Sequence, residues 1–136
     1  MDHADRATVD RVLELPTWAV VGLSNDRTRA AYGVAAFLQA QGRRIVPVHP
    51  RAETVLGEQG YARLADIPFE VDVVDCFVRS ELVGPVVDEA VEKGAKAVWM
   101  QLGVVDAEAA ARARAAGLDV VMDRCPKLDW RYARSA

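Results

Sequence analysis

Residues 17–33 read TWAVVGLSNDRTRAAYG, and this stretch decides the fold. The apolar run from Trp18 to Val21 is typical of a strand that is buried on both faces, and Gly22 follows it where the chain has to turn sharply. A side chain at Gly22 would obstruct that turn. A polar loop comes next, and a helical pattern begins near Ala30. The stretch therefore predicts a strand, a tight glycine turn and the N-terminus of a helix.

The predicted helix start is a candidate phosphate site. The first N–H groups of a helix lack intrahelical partners, and the aligned peptide dipoles make that end partly positive. Ser24 can add a hydroxyl donor, and Arg27 and Arg29 can add charge and forked N–H groups. The alternative is an ordinary loop with two surface arginines. The dinucleotide fingerprint GxGxxG is incomplete, since Gly33 comes too late for its spacing, although Gly33 can allow close packing of helix against strand.

The rest of the chain alternates between helical and strand patterns. Helices are predicted over residues 5–15, 30–41, 81–93 and 107–116, and further strands over residues 43–48, 71–78, 95–101 and 118–122. Pro47 indicates a strand end or a sheet edge, and residues 52–70 are predicted to be irregular with a helical turn near 61–64. The tail from Leu128 receives no assignment. The alternation predicts an α/β fold: one three-layer, doubly wound, Rossmann-like domain over residues 1–136 with about five parallel strands.

The composition is typical of a globular chain, and its net charge does not favour a highly charged partner. Apolar residues make up 51% and charged residues 27% of its 136 residues, and the net charge of -3 favours neither nucleic acid nor an anionic membrane. Cys76 and Cys125 lack the spacing of metal ligands, so no metal is predicted and a reducing cytoplasm is the expected location. The first residues do not resemble a signal peptide, and no apolar run approaches the length of a membrane span.

Polar and glycine-containing junctions follow the predicted strands. In a doubly wound sheet, ligands bind beyond the carboxyl ends of the strands. The junctions that fall there are 22–29, 49–51, Arg79, 101–103 and 123–127. Dinucleotide sites often place an acid after the second strand, but here His49, Pro50 and Arg51 follow it, and Arg51 can hold a phosphate on a ribose. The alternative is a turn with a solvated arginine. We expect Ser80 to cap the third helix.

Several motifs together resemble a known family. They are AVVGLS at 19–24, RRIVPVHP at 43–50, LGE at 56–58, IPFEVDVVDCFVRS at 67–80, GAKAVWMQLGV at 94–104 and VVMDRCPK at 120–127. The sequence resembles the small CoA-binding proteins with a Rossmann-like fold, which are related to the CoA-binding N-terminal domain of the succinyl-CoA synthetase α subunit. The resemblance covers most of the chain.

The resemblance implies coenzyme A as the ligand and a set of residues around it. The phosphates would lie near Gly22, Leu23 and Ser24, helped by Arg27 and Arg29. The remaining implied contacts are Pro50 and Arg51 beside the adenosine and its 3′-phosphate, and Val78 and Arg79 on the other wall. Gly103 joins the predicted binding residues because its turn follows a strand at the same sheet edge. The resemblance also places Cys125 and Pro126 near the part of the site that the pantetheine arm approaches.

The leading interpretation is a module that binds CoA or an acyl-CoA without chemistry of its own. In the larger relatives that the resemblance brings in, a second domain carries a phosphohistidine. His3 and His49 are poor candidates for that role, so a complete ligase mechanism is not predicted. No protein partner is predicted.

Two alternatives remain open. An NADP-dependent oxidoreductase would use Arg51 with Arg43 or Arg44 to hold a 2′-phosphate. A thiol-redox protein would use Cys125, with the nearby cations of Arg124 and Lys127 stabilising its thiolate. For Cys125, the competing interpretation is a structural thiol before a proline.

Overall fold

The computed structural model describes the backbone of residues 5–134 and the side chains of residues 5–130. Within this range the strands are β1 (Thr17–Val21), β2 (Arg44–Val48), β3 (Val73–Cys76), β4 (Ala97–Met100) and β5 (Asp119–Val121). The helices are α1 (Arg6–Leu13), α2 (Ala30–Ala40), α3 (Ser80–Lys93), α4 (Ala107–Ala115) and α5 (Pro126–Arg134), with a short 3₁₀ turn at Leu64–Asp66. The predicted α/β fold is confirmed.

The strands form one parallel sheet in the order β2-β1-β3-β4-β5. The chain moves outward from β1 to β2, then returns to the other side of β1 and continues in the opposite direction. The order therefore reverses between β1 and β3, which is where doubly wound sheets place their ligands. Val21 is in register with Val48 and with Cys76, so three strands end together at this point.

Helices cover both faces of the sheet and bury an apolar core on each. On one face, α3 and α4 pack against strand residues such as Val74 and Val98. On the other, α1 and α2 cover Trp18 and Trp99, whose ring centroids lie 5.7 Å apart. Burying two tryptophans at the centre of this face anchors the middle strands, since aromatic side chains bury more apolar area than others.

The tail that received no sequence assignment forms α5. Pro126 occupies its first turn, where the missing N–H of proline has no intrahelical role. The Trp130 ring packs edge-on against Phe37, with 5.8 Å between centroids, and the Arg43 guanidinium lies 4.6 Å from its centre. These contacts with distant residues, rather than local pattern, hold α5 against α2.

Of three predictions about single residues, the one for Pro47 is confirmed, and those for Gly33 and Ser80 are wrong. Pro47 lies on β2, the edge strand of the described sheet, as predicted. Gly33 does not provide close packing: it is exposed, a Cβ there would meet nothing within 4 Å, and the buried residues Ala31 and Ala35 face the sheet instead. Ser80 does not cap α3, because its hydroxyl donates to the Gly103 carbonyl at 3.1 Å.

Candidate functional site at the carboxyl edge of the sheet

Gly22 sits at the reversal of strand order and has no room for a side chain. Its φ is +99°, and a Cβ there would lie 2.5 Å from the Phe77 carbonyl oxygen. Its N–H donates to the Val48 carbonyl at 2.8 Å. Glycine alone adopts this conformation without strain. The predicted sharp turn without room for a side chain is confirmed, and it lets the loop after β1 pass directly across the end of β3.

A central cavity of about 420 Å³ opens at this point. Its walls come from the loop after β1 with the start of α2, from the loop after β3, and from the loop after β4. They comprise Gly22, Arg29, Ala30, Ala31, Phe77, Val78, Arg79, Gln101, Leu102, Gly103 and Val104. Arg29 is the N-cap of α2, and its side chain makes no capping hydrogen bond to the first N–H groups of the helix. The helix end therefore offers free donors and positive potential to an anion.

Two further cavities continue the central one along the same edge. The β2-side cavity, about 260 Å³, shares Gly22 and Val78 with it and reaches His49 and Pro50. The β5-side cavity, about 500 Å³, shares Leu102 with it and reaches Cys125. The three cavities adjoin one another across the carboxyl ends of the strands, and we refer to them together as the trough.

Some predicted residues lie outside these walls as the described residues form them. Leu23 is fully buried in the core, so only its backbone can face a ligand. Ser24 is largely buried, and its hydroxyl accepts the Asp26 N–H at 3.3 Å. The Arg27 guanidinium lies 5.5 Å from the Tyr32 ring centre. Of the predicted loop residues, Gly22 and Arg29 are those that line the central cavity.

Arg51 stands beside the β2-side cavity rather than in its wall. Its side chain is exposed, and its Nε lies 3.5 Å from a carboxylate oxygen of Glu53. Its backbone N–H donates to His49 Nδ1 at 3.2 Å. Such an exposed ion pair contributes little and exchanges readily for another anion.

Arg43 and Arg44 lie at the opposite, amino edge of the sheet. Arg43 donates two hydrogen bonds to the Leu13 carbonyl, at 3.0 and 2.8 Å. Arg44 is in register with Thr17, the first residue of β1, and its guanidinium lies 3.8 Å from the Phe69 ring centre. The suggestion that either one joins Arg51 on a 2′-phosphate is therefore wrong, because the length of the strands separates them.

The loops after β3, β4 and β5 are tied together at Gly103. Its N–H donates to Asp123 Oδ1 at 2.7 Å, and its carbonyl accepts the Ser80 hydroxyl. Ser80 Oγ also accepts the Val105 N–H at 2.9 Å. Asp123 has a φ of +60°, an uncommon conformation for a residue with a side chain. These bonds hold the far wall of the central cavity in place.

Cys125 lines the β5-side cavity but lacks the predicted cationic activation. The Arg124 guanidinium donates to Asp129 Oδ1 at 2.9 Å, and Arg6 donates to the same oxygen at 3.0 Å. The carboxylate offsets the charge that would stabilise a thiolate. Lys127 is exposed at the start of α5. The geometry thus favours the structural interpretation of Cys125 over the redox one.

The sequence interpretation did not single out Asp75, which is fully buried on β3. It lies in register between Val20 and Trp99, and neither carboxyl oxygen has a hydrogen-bond partner among the described residues. Burial raises the pKa of Asp75 well above its usual value. Gln101, in the wall of the central cavity, also has a buried Oε1 without a described partner. The available signal was an acid inside the apolar run VDVVDCFV.

Among the described residues, no three His, Cys, Asp or Glu side chains cluster in a way that could hold a metal ion. None of the described helices combines the length and apolar character that crossing a bilayer requires.

Residues 16–131 match a family model whose description is CoA binding domain. The chain belongs to the CoA-binding domain family. The resemblance seen in the sequence motifs is thereby confirmed. The matched range contains all three cavities except for Arg6.

Similar proteins include complete small chains and parts of larger ones. The YneT protein of Bacillus subtilis (strain 168) is 33% identical over 129 residues, which are 94% of this chain and 96% of YneT. The solved structure of a hypothetical protein from Pyrococcus horikoshii OT3 has a TM-score of 0.92 and 34% identity, and the match covers 98% of this chain and 94% of that one. The α subunit of the ADP-forming acetate–CoA ligase II of Pyrococcus furiosus is 38% identical over 81 residues, 59% of this chain but 18% of that subunit.

Proposed function

We propose that this protein binds coenzyme A or an acyl-CoA in the trough at the carboxyl edge of its sheet, as a binding module without chemistry of its own. The observation that carries the proposal is the central cavity, where Gly22, the uncapped start of α2 and Arg29 meet in a chain of the CoA-binding domain family. We take residues 16–131 as one binding unit.

The central cavity fits the phosphates of the ligand. Ala30 and Ala31, the first residues of α2, line this cavity, and Arg29 and Arg79 bring cations to it. A helix N-terminus together with arginines is a common anion site, because backbone donors and dipole act in the same direction. Arg79 is exposed and lies 4.0 Å from Glu81, so it can reorient toward a phosphate.

The β2-side cavity fits the adenosine. Pro50, Val48 and Val78 give it apolar walls, which suit a flat base. Arg51 stands next to Pro50 and its pair with Glu53 is exposed, so it is available to a 3′-phosphate. The absence of an acid after β2 agrees with a ribose that carries a phosphate there.

Binding without catalysis is supported by the position of the described histidine. His49 Nδ1 accepts the Arg51 N–H, which holds the ring in the turn after β2. His3, the other histidine of the sequence, lies outside the described residues.

We also propose a reducing compartment such as the cytoplasm. Cys76 belongs to the core on the α3 and α4 face, whereas Cys125 belongs to the core on the other face. Both are buried free thiols, which is the usual state of cysteine in a reducing compartment.

The proposal is tested by thermal unfolding with CoA, dephospho-CoA, NAD and NADPH at matched concentrations. A ligand at a hundredfold its dissociation constant adds about 2.7 kcal/mol to the free energy of unfolding, a shift of several degrees. We expect CoA to shift the midpoint most and dephospho-CoA less. If no ligand shifts it, the proposal is wrong.

The role of Arg51 is tested with one charge-removing substitution at two sites. Arg51→Gln should weaken CoA binding roughly tenfold, since a charge-assisted hydrogen bond is lost, and leave dephospho-CoA binding unchanged. Arg112→Gln is the control, because Arg112 pairs with Asp88 away from the trough. Equal affinities of the Arg51 variant and the parent for CoA would remove Arg51 from the site.

A further inference from the structure

The β5-side cavity is larger than the other end of the trough and differs from it in chemistry. It has a volume of about 500 Å³, against about 260 Å³ for the β2-side cavity. Leu102, Leu128 and Cys125 line it together with the cluster of Arg6, Asp129 and Arg124.

The charges in this wall are already compensated. Asp129 is largely buried and accepts hydrogen bonds from both Arg6 and Arg124. A phosphate would have to compete with a carboxylate that both arginines hold at 2.9 to 3.0 Å. The charged end of a ligand is therefore better served at the start of α2 and at Arg51, and the neutral end is left for this cavity.

Exposed apolar side chains collect at the same place. The large hydrophobic side chains exposed among the described residues are Leu82, Leu102, Val105 and Leu128. Two of them, Leu102 at 57% and Leu128 at 53% exposure, line the β5-side cavity, and Leu102 also lines the central one. Exposed apolar surface beside a cavity indicates a binding surface more strongly than the same side chains scattered singly.

We propose that the β5-side cavity binds the apolar acyl chain of an acyl-CoA, and that the protein prefers thioesters with several acyl carbons over free CoA. This inference rests on the proposed function. With the phosphates at Arg29 and the adenosine at Pro50, the sulfur end of the ligand leaves the central cavity past Leu102. Leu102 and Leu128 then cover a chain that water would otherwise surround.

The test is calorimetric titration of the full chain with CoA, acetyl-CoA and hexanoyl-CoA. Each methylene that leaves water should tighten binding about fourfold when fully buried. Because the cavity is open on one side, we expect hexanoyl-CoA to bind at least tenfold more tightly than acetyl-CoA. Leu128→Ser should remove most of this preference, measured as the ratio of the hexanoyl-CoA and acetyl-CoA affinities of the same variant.

The matched control is Leu82→Ser. Leu82 is 50% exposed at the start of α3, and it is not among the residues that line the β5-side cavity. This variant should keep the full preference for hexanoyl-CoA. That result would distinguish a specific acyl site from nonspecific binding of the acyl chain to any exposed leucine.

The outcomes separate this inference from the proposed function. Tight CoA binding without any gain from the hexanoyl group, or an unchanged preference in Leu128→Ser, overturns the acyl site alone. Failure of all three ligands to bind overturns the proposed function as well. Sedimentation without ligand decides a further case: a dimer that Leu128→Ser dissociates would mean that a second copy covers the leucines, and the acyl site would be wrong.

Discussion

Asp72 and Asp75 lie near the two ends of the same strand in surroundings of opposite character. Asp72 precedes β3 at the amino edge, where its Oδ2 accepts the Thr17 N–H at 3.0 Å and its Oδ1 lies 3.4 Å from Lys96 Nζ. Asp75 lies on β3 toward the carboxyl edge, with both oxygens buried and without a described partner. Asp72 stabilises the fold through these contacts, whereas Asp75 costs stability because its carboxyl group is buried without a described hydrogen-bond partner.

The same contrast extends along both edges of the sheet. At the amino edge, Arg11 pairs with Asp119 at 2.9 Å, and Arg43 donates to the Leu13 carbonyl. At the carboxyl edge lie three cavities and two exposed leucines. The fold thus closes one edge with polar bonds and leaves the other open, which is where a parallel sheet of this type binds ligands.

The largest effect is expected from Asp75→Asn. The folded pKa of Asp75 is raised above its unfolded value of 3.8, so its favourable contribution is complete below that pH and is lost as the pH rises toward the folded pKa. The slope is up to about 1.4 kcal/mol per pH unit. An asparagine at this position does not titrate and carries no such slope. The stability of the variant relative to the parent should therefore rise with pH above the unfolded value, because only the parent has to keep a buried carboxyl protonated against the rising pH. Urea unfolding at a series of pH values from 4 to 8 measures the difference.

Asp72→Asn is the matched control for this change. The same substitution there weakens the bond to Thr17 and the pair with Lys96, so we expect a loss of about 1 kcal/mol. Its difference from the parent should not grow in the variant's favour as the pH rises. Parallel pH curves for Asp75→Asn and the parent would show that the two acids do not differ as described.

A smaller effect is expected from the pair Gly22→Ala and Gly33→Ala. The Cβ at Gly22 would clash with the Phe77 carbonyl, and its positive φ adds strain, so we expect a loss of about 2–4 kcal/mol. Gly33 is in α2 with open space around it, so alanine there should gain about 0.5–1 kcal/mol. Denaturant midpoints at constant m-value report both, and equal effects would contradict the account of Gly22.

The smallest effect is expected from Ser80→Ala. The substitution removes the bonds from Ser80 Oγ to Gly103 and Val105 at the rim of the central cavity. Because the site is partly exposed, the cost should be about 1 kcal/mol, with CoA binding weakened a few-fold through a looser loop. A Ser80→Thr variant keeps the hydroxyl and should restore both values. Unchanged stability and affinity in Ser80→Ala would mean that these two hydrogen bonds do not stabilise the rim of the central cavity.

Most of the fold followed from local pattern. The buried run at β1 and the glycine after it predicted the strand and turn, because a doubly buried strand leaves few alternatives for such a sequence. The helix in the tail from Leu128 could not be predicted, because it depends on contacts with residues far away in the sequence. The packing of Trp130 on Phe37 and the bonds from Arg6 to Asp129 join residues far apart in the chain, and no local window contains them.

The residues of the candidate site were predicted from the sequence less completely than the fold. Gly22 and Arg29 could be predicted, because the turn and helix start were both readable from residues 17–33. From residue type, Ser24 was predicted to donate to a phosphate and Ser80 to cap a helix. In the structure the Ser24 hydroxyl accepts the Asp26 N–H, which leaves its own proton available, whereas the Ser80 hydroxyl bonds to Gly103 and Val105 and does not cap α3. Which neighbour a hydroxyl bonds depends on how loops from different strands meet, and that information appears only once the sheet order is known.

The most direct test of the account is an NMR titration of the labelled protein with CoA that follows each backbone amide. We predict that the shifts concentrate at the carboxyl edge, in residues 22–31, 48–51, 77–80 and 101–105, and that Thr17, Arg44 and Asp72 at the amino edge stay unchanged. Shifts centred on the amino edge, or none at saturating CoA, would contradict the claim that the open edge of this sheet is the binding site.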